Sequence, residues 1–148
     1  MQMRNPENIA EFDDLRVRFA SDGGVARAVD GLSLDIPRGN TVGLVGESGC
    51  GKSVAALTMM GLLPEGVASG AIRFQGGAGT VDLAAMPERA RAKLRGAEIA
   101  MVFQEPMTSL NPVLRIGAQL GDAVRLLGLS RAEVRGRVEE LLARVGVP

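Results

Sequence analysis

A mixed α/β fold is predicted by three features of this 148-residue chain. A glycine-rich segment lies between a short apolar run, residues 41–45, and a helical stretch. A second fully apolar run follows at residues 99–103. From residue 116 onward, apolar side chains recur at helical spacing. The glycine-rich segment is the most specific of the three. Gly46-Glu47-Ser48-Gly49-Cys50-Gly51-Lys52-Ser53 fits the pattern G-x-x-x-x-G-K-[ST] at every fixed position. Gly46 and Gly51 let the chain curl without a Cβ in the way, so successive amides converge on an anion. Lys52 supplies a positive charge for the outer phosphates, and the Ser53 hydroxyl can ligate Mg²⁺. A helix beginning at Val54 directs its positive end at the same point. A glycine-rich turn with an exposed lysine is the bland alternative, and the flanking strand and helix patterns argue against it.

The remaining elements follow in order. Leu15, Val17 and Phe19 alternate with Arg16 and Arg18, the period-two pattern of a half-buried strand. Asp22-Gly23-Gly24 signals a turn. Val29, then Leu32, Leu34 and Ile36, predict two further strands before Pro37-Arg38-Gly39-Asn40 breaks the run. The first forty residues thus read as an antiparallel β region leading into a buried strand at 41–45. After a helix over 54–62 come a strand at 71–74, a glycine-rich turn at Gly76, Gly77 and Gly79, and a return strand at 81–83. A charged surface helix is expected over 88–95, behind Pro87. Residues 99–103 read as a central parallel strand ending at Gln104. Residues 105–112 carry two prolines and must be irregular. Ile116, Leu120, Ala123, Val124 and Leu127 then share one helix face. A last helix opens with the capping box Ser130-Arg131-Ala132-Glu133, carries Val134, Val138, Leu141, Leu142 and Val145, and closes at Gly146. Both helices carry an apolar stripe larger than the rest of the chain can cover.

Composition narrows the function. Hydrophobic residues make up 46%, enough for a core, and the formal charge is zero, so an electrostatic nucleic-acid binder is not expected. Two lysines stand against fifteen arginines, and Lys52 is the first of the two. The single cysteine, Cys50, excludes an internal disulfide framework and fits a reducing compartment. Histidine is absent, which removes the commonest metal ligand and general base. No apolar run is long enough to cross a bilayer, and no signal peptide is evident.

The phosphate-loop pattern alone does not separate kinases, GTPases and transport ATPases. The phrase A-V-D-G-L-S-L-D-I-P-R-G at 28–39, the loop, and V-F-Q-E-P-M-T-S-L-N-P at 102–112 do so by their order. With them the chain resembles the ABC-transporter ATPases over its whole length. The pairing of E-S-G-C-G-K-S with F-Q-E-P-M-T-S-L-N-P resembles the subfamily that imports di- and oligopeptides, alongside nickel and glutathione importers. The resemblance implies an incomplete RecA-like core with an N-terminal antiparallel β region and the start of a helical subdomain. Residues 1–104 would form the nucleotide-binding core, and 105–148 the exit from the Q-loop and the first subdomain helices. It also implies an ATP- and Mg²⁺-binding subunit that couples ATP hydrolysis to solute import. Gly46, Glu47, Ser48, Gly49, Cys50, Gly51, Lys52, Ser53 and Val54 would hold the nucleotide. Gln104 matches the glutamine that reaches Mg²⁺ and the attacking water, making Lys52 and Gln104 the catalytic candidates and Ser53 and Gln104 the metal ligands. Phe19 matches the aromatic position that stacks on adenine, although spacing alone makes it an ordinary strand residue. Expected partners are transmembrane permease subunits, a second ATPase subunit arranged head to tail and, indirectly, an extracytoplasmic solute-binding protein. Nucleic acid is not expected. The expected location is the cytoplasmic face of the cell membrane.

The family pattern also includes a Leu-Ser-Gly-Gly-Gln-type signature, an acidic strand ending in Asp-Glu, and a switch histidine. None occurs in these 148 residues. Residues 100–105 imitate the acidic strand, but Gln104 stands where Asp is required. The chain is therefore expected to be the N-terminal part of a longer ATPase, inactive alone. A self-contained small kinase or GTPase fits the length but leaves the 102–112 phrase unexplained. A non-catalytic nucleotide-binding module is the third reading.

Overall fold

The computed structural model describes residues 7–21, 23–104 and 110–147. The chain divides into two compact units, Met1–Glu98 and Ile99–Pro148.

The first unit is built on a hairpin. Strand β1, Asn8–Ser21, pairs antiparallel with β2, Gly24–Pro37. On its other edge β1 pairs antiparallel with β3, Val67–Gly76, which pairs in turn with β4, Gly79–Asp82, giving the order β2-β1-β3-β4. The alternation read at Leu15 and Val17 holds: both are fully buried, with Ile72 and Leu83. Burying side chains of this size contributes roughly 1.5–3 kcal/mol each. Val29 through Ile36 form one strand rather than two. Gly31, at φ +86°, is absorbed as an extra residue between the pairs Leu15–Leu32 and Arg16–Asp30, so a residue that punctuates the sequence only bulges the strand. A second bulge lies on β1 at Asp13 and Asp14, where φ of Asp14 is +46° and both neighbouring ladders shift register. Gly70 answers it from β3: a Cβ there would sit 2.4 Å from the Asp14 carbonyl oxygen.

Helix α1, Lys52–Met60, buries Ala55, Thr58 and Met60 and ends at Gly61, whose φ is +65°. It starts two residues earlier than the apolar pattern indicates, because the phosphate loop runs into it without a break. Helix α2, Glu88–Leu94, follows Pro87 and buries none of its residues, as its charge predicts.

The second unit contains a helical hairpin, α3, Ile116–Arg125, and α4, Arg131–Arg144. Val124, Val134 and Val138 are buried, with Leu120, Leu129, Leu141 and Leu142 packed around them. The capping box at Ser130 and Glu133 is present in both directions. The expected stripe on α3 is shortened: the helix ends at Arg125, so Leu127 falls in the turn, and Leu127, Ile116 and Val145 stay exposed. Val145 follows the end of α4.

Two strand predictions fail. Residues 41–47 and 100–103 have no regular structure, and Val45 and Val102 are 94% and 91% exposed. A central parallel strand satisfies its amides and carbonyls only between two flanking strands, with helices over both faces. No strand pairs with either segment among the described residues. Asp22 of the predicted turn, and residues 105–109 of the predicted irregular segment, including Met107, lie outside the described residues.

Candidate functional site

In the loop between β2 and α1, Gly51 cannot take a Cβ without moving the backbone, and Gly46 cannot take one without moving the Cys50 side chain. Gly51 precedes α1 at φ +94°, and a Cβ on it would lie 2.2 Å from the Ala28 carbonyl oxygen of β2. A Cβ on Gly46 would fall 2.6 Å from the Cys50 sulfur. The loop is thus pressed against β2 on one side and coiled on itself on the other. Beside it opens a cavity of about 300 Å³ lined by Ala28, Val29 and Asp30 of β2, Leu44, Gly51 and Lys52 among others.

Lys52 is the first residue of α1, and its side chain turns back over the loop. The ammonium Nζ donates to the Gly46 carbonyl at 2.8 Å, to the Glu47 carbonyl at 2.6 Å and to the Cys50 sulfur at 3.2 Å. Among the described residues the amides of Gly49, Gly51, Lys52 and Ser53 have no hydrogen-bond acceptor. Free donors at the positive end of a helix, with a lysine over them, form a receptor for a polyanion. Ser53 is exposed on the first turn of α1. The donor set fits a nucleotide's phosphates: amides and one ammonium for oxygen atoms, a hydroxyl for a hard cation, and no Cβ in the way. Glu47, Ser48, Gly49 and Cys50 are all exposed along the loop, and Val54 is half-buried behind it. The contacts of Ala28 and Val29 with Gly51 were not read from residue chemistry. The need for glycine at 51 was the available signal.

Phe19 and Gln104 are each described within their own unit. Phe19 is half-buried, and its ring edge lies 3.0 Å from where a Gly66 Cβ would sit, beside Leu63. It is absent from the lining of the cavity beside the loop. Gln104 belongs to the second unit, where it is exposed and follows residues 100–103, which have no regular structure. Farther along, Gln119 braces the entry to α3, donating to the carbonyls of Asn111 and Leu114 at 3.0 Å and accepting from the Asn111 amide at 2.8 Å. Leu110, Val113 and Leu114 are left exposed on that braced turn. Among the described residues there is no cluster of acidic or cysteine side chains able to hold a metal by itself, and no helix long and apolar enough to cross a membrane.

A glycine-cornered loop with a lysine at a helix N-terminus, backed by an antiparallel sheet, defines a phosphate-loop nucleotide-binding protein. Residues 29–148 match the ABC transporter family, and the chain belongs to that family. It is 42% identical over 146 residues to a dipeptide transport ATP-binding protein of Bacillus subtilis, an alignment covering 96% of this chain and 42% of that protein. A dipeptide transport ATP-binding protein of Escherichia coli is also 42% identical, over 143 residues, covering 95% of this chain and 42% of its own length. A peptidoglycan transport ATP-binding protein of Agrobacterium fabrum is 44% identical over 151 residues, covering 99% of this chain and 27% of its own. The chain thus spans about two fifths of the length of the two dipeptide-transport relatives.

Proposed function

We propose that this chain is the nucleotide-binding region of an ATPase subunit that energises import of peptides or chemically related solutes. The observation that carries it is the phosphate loop, with Lys52 folded back onto the Gly46 and Glu47 carbonyls and, among the described residues, the amides of Gly49, Gly51, Lys52 and Ser53 without an acceptor. The names of the similar proteins supply the solute class. Residues 46–54 would hold the phosphates of ATP, and Lys52 would exchange its two carbonyl partners for phosphate oxygens. Ser53, with Gln104 brought to the site, would hold Mg²⁺. When bound, Mg²⁺ would neutralise charge on the phosphates. The Gln104 amide can accept through oxygen and donate through nitrogen, which suits it to orient water. Phe19, at the end of β1, is proposed to stack on the base. The nucleotide core is proposed to run through Gln104, with the segment from 105 opening the helical subdomain.

Membrane permease subunits and a second ATPase subunit, placed head to tail, would complete the machine at the cytoplasmic face of the membrane. The exposed Leu110, Val113 and Leu114, held by Gln119, are proposed to face the permease. The test uses the intact subunit assembled with its permease in proteoliposomes. Lys52→Ala removes charge-assisted hydrogen bonds worth roughly 1.5–3 kcal/mol. It should weaken ATP binding about 10- to 100-fold and stop uptake of a labelled dipeptide. Unchanged ATP affinity would refute the nucleotide reading. Normal ATP turnover with no uptake of any di- or oligopeptide would refute the solute class.

A further inference from the structure

Helix α1 carries the phosphate loop at one end, and two arginines grip it at the other. The Met60 and Gly61 carbonyls lie at that second end, where a helix bears its partial negative charge. The Arg95 guanidinium, just past α2, donates to the Met60 carbonyl at 3.0 Å and to the Gly61 carbonyl at 3.4 Å. It is also ion-paired with Glu88 at the start of α2. Arg91, one turn back, crosses Gly61 so closely that a Cβ there would fall 2.2 Å from its Nη1 atom. Its Nη2 donates to the Met86 carbonyl at 2.8 Å, while its buried Nε has no acceptor among the described residues. Burying a donor without a partner is unfavourable, and the fold accepts it where Arg91 passes over the end of α1.

The two ends of α1 are therefore fixed in different ways. At the first, Gly51 is seated against β2, where a Cβ would fall 2.2 Å from the Ala28 carbonyl oxygen. Between the ends Ala55, Thr58 and Met60 are buried, and apolar packing sets the depth of a helix without fixing its direction. A rod seated at one end alone can swing. With nine residues α1 is about 13 Å long, so a swing of about 10° would carry its Met60 end roughly 2 Å. The N–H groups of Gly51, Lys52 and Ser53 fan out along the axis of the same helix, and a swing re-aims them by the same angle. Hydrogen bonds weaken as they bend, and a binding constellation keeps its strength only within about 10–20°.

We propose that Arg95, backed by Arg91, is a positioning residue for phosphate binding: by capping the Met60 and Gly61 carbonyls it fixes the direction of α1 and so the aim of the loop amides. Every contact in this chain of effect lies within the first unit, and the effect runs through one continuous helix. The proposal rests on the nucleotide reading above and adds to it a residue that the loop pattern does not contain. Removing the cap leaves the loop's own supports, Gly51 against Ala28 and Lys52 over Gly46 and Glu47, in place. What is lost is the common aim of the amides, and the quantity that reports it is affinity for a polyphosphate.

The experiment titrates the full-length subunit, assembled with its permease, with a fluorescent ATP analogue. The titration returns the number of sites and the Kd separately, so unfolded protein lowers the first and leaves the second alone. For Arg95→Ala the expected result is a Kd raised roughly tenfold, the equivalent of one lost hydrogen bond. A purely structural role would give fewer sites at the parent Kd, and that result would overturn the proposal. Arg95→Lys keeps a cation over the same carbonyls and should bind within about threefold of the parent. Binding as weak as that of Arg95→Ala would overturn the capping account. Glu88→Gln keeps the guanidinium and removes its ion pair, and should bind within about twofold of the parent, since an exposed pair contributes little. A loss equal to that of Arg95→Ala would assign the effect to the pair and overturn the cap. Where Arg95→Ala does not accumulate, Arg95→Met preserves the stem packing without the donors, and the parent Kd in that variant is equally decisive. Lys52→Ala separates the two failures. If it still binds the analogue, the nucleotide reading falls. If it loses binding while the Arg95 variants keep the parent Kd, only the positioning role falls.

Discussion

Strand β1 and the segment 41–45 carry sequences of similar apolarity and meet opposite fates. Leu15 and Val17 of β1 are fully buried, whereas Leu44 is 43% exposed and Val45 94%. The difference lies in where each finds its hydrogen-bond partners. β1 is followed after a short turn by β2, and β3 returns to its other edge, so both ladders close within one stretch of chain. Its alternating pattern also needs only one covered face. Residues 41–45 are apolar on both sides and need a strand on each flank and a layer over each face. Apolar sequence therefore states what a segment requires, and topology decides whether the requirement is met. The same contrast divides the helices: α3 and α4 bury Val124, Val134 and Val138 because each is the other's neighbour.

The strongest way to break this comparison is to empty the sheet core. Leu15→Ala removes a fully buried side chain of β1 and should cost about 2–5 kcal/mol in chemical denaturation. A loss below about 1 kcal/mol would mean that the β1 face is not the stabilising centre of the first unit. Next in size is Gly51→Ala. It places a Cβ against the Ala28 carbonyl at a positive φ, costs about 1–2 kcal/mol in backbone strain alone, and displaces the phosphate loop from β2. Loss of ATP-analogue binding, with the β-sheet circular dichroism retained, is the expected outcome. Binding equal to the parent would mean that the loop does not depend on its seat against β2.

Much of this was legible in the residues. The phosphate loop, the antiparallel β region, the turn glycines, the surface character of α2 and the capping box all rest on local chemistry, which a sequence displays directly. The parts that were not legible depend on contacts remote in sequence. Gly31 looks like a break between strands and serves as a bulge, because β1 supplies the pairing on both sides of it. Arg95 looks like one more surface arginine in a chain with fifteen, and caps a helix that ended 35 positions earlier. Phe19 shows the limit from the other side. Its spacing marks a strand residue and its family position an adenine platform, and the ring lies beside Gly66. Phe19→Ala, read by ATP-analogue affinity in the intact subunit, decides between the two. Loss of a base stack worth on the order of 1–3 kcal/mol weakens affinity, whereas a strand role leaves it unchanged.

A smaller effect is expected at the entry to α4. Ser130→Ala removes the N-cap and should destabilise the second unit by about 1 kcal/mol. The cap also makes that unit sensitive to acid. The Ser130 hydroxyl, and then its backbone amide, hold the Glu133 carboxyl below its ordinary value of 4.5. A carboxyl whose folded value is depressed adds stability that is present above the ordinary value and lost as pH falls through the folded one. Hydrogen bonding to Arg95 lowers the Glu88 carboxyl in the same way. The hold on α2 and the start of α4 should therefore both weaken below about pH 4.5. Ser130→Ala should flatten the acid limb for the second unit alone, as followed by amide exchange of α4.

The smallest effect is the most informative about the comparison. Val45 is almost fully solvent-exposed, so Val45→Ser in this 148-residue chain should change stability by no more than about 0.5 kcal/mol. In a chain extended to the length of the dipeptide-transport relatives, flanking strands would bury the same side chain, and the substitution should then cost roughly 1–3 kcal/mol. The two measurements differ only in chain length, so the difference reports the burial that additional strands confer on residue 45. Equal small effects in both would mean that residues 41–45 never enter a sheet. A large effect already in the shorter chain would mean that the apolar run is covered without partners. Between these outcomes lies the physical content of the contrast with β1. A strand whose partners are adjacent in sequence is stable as soon as it is made, and one whose partners are distant stays open to water until they arrive.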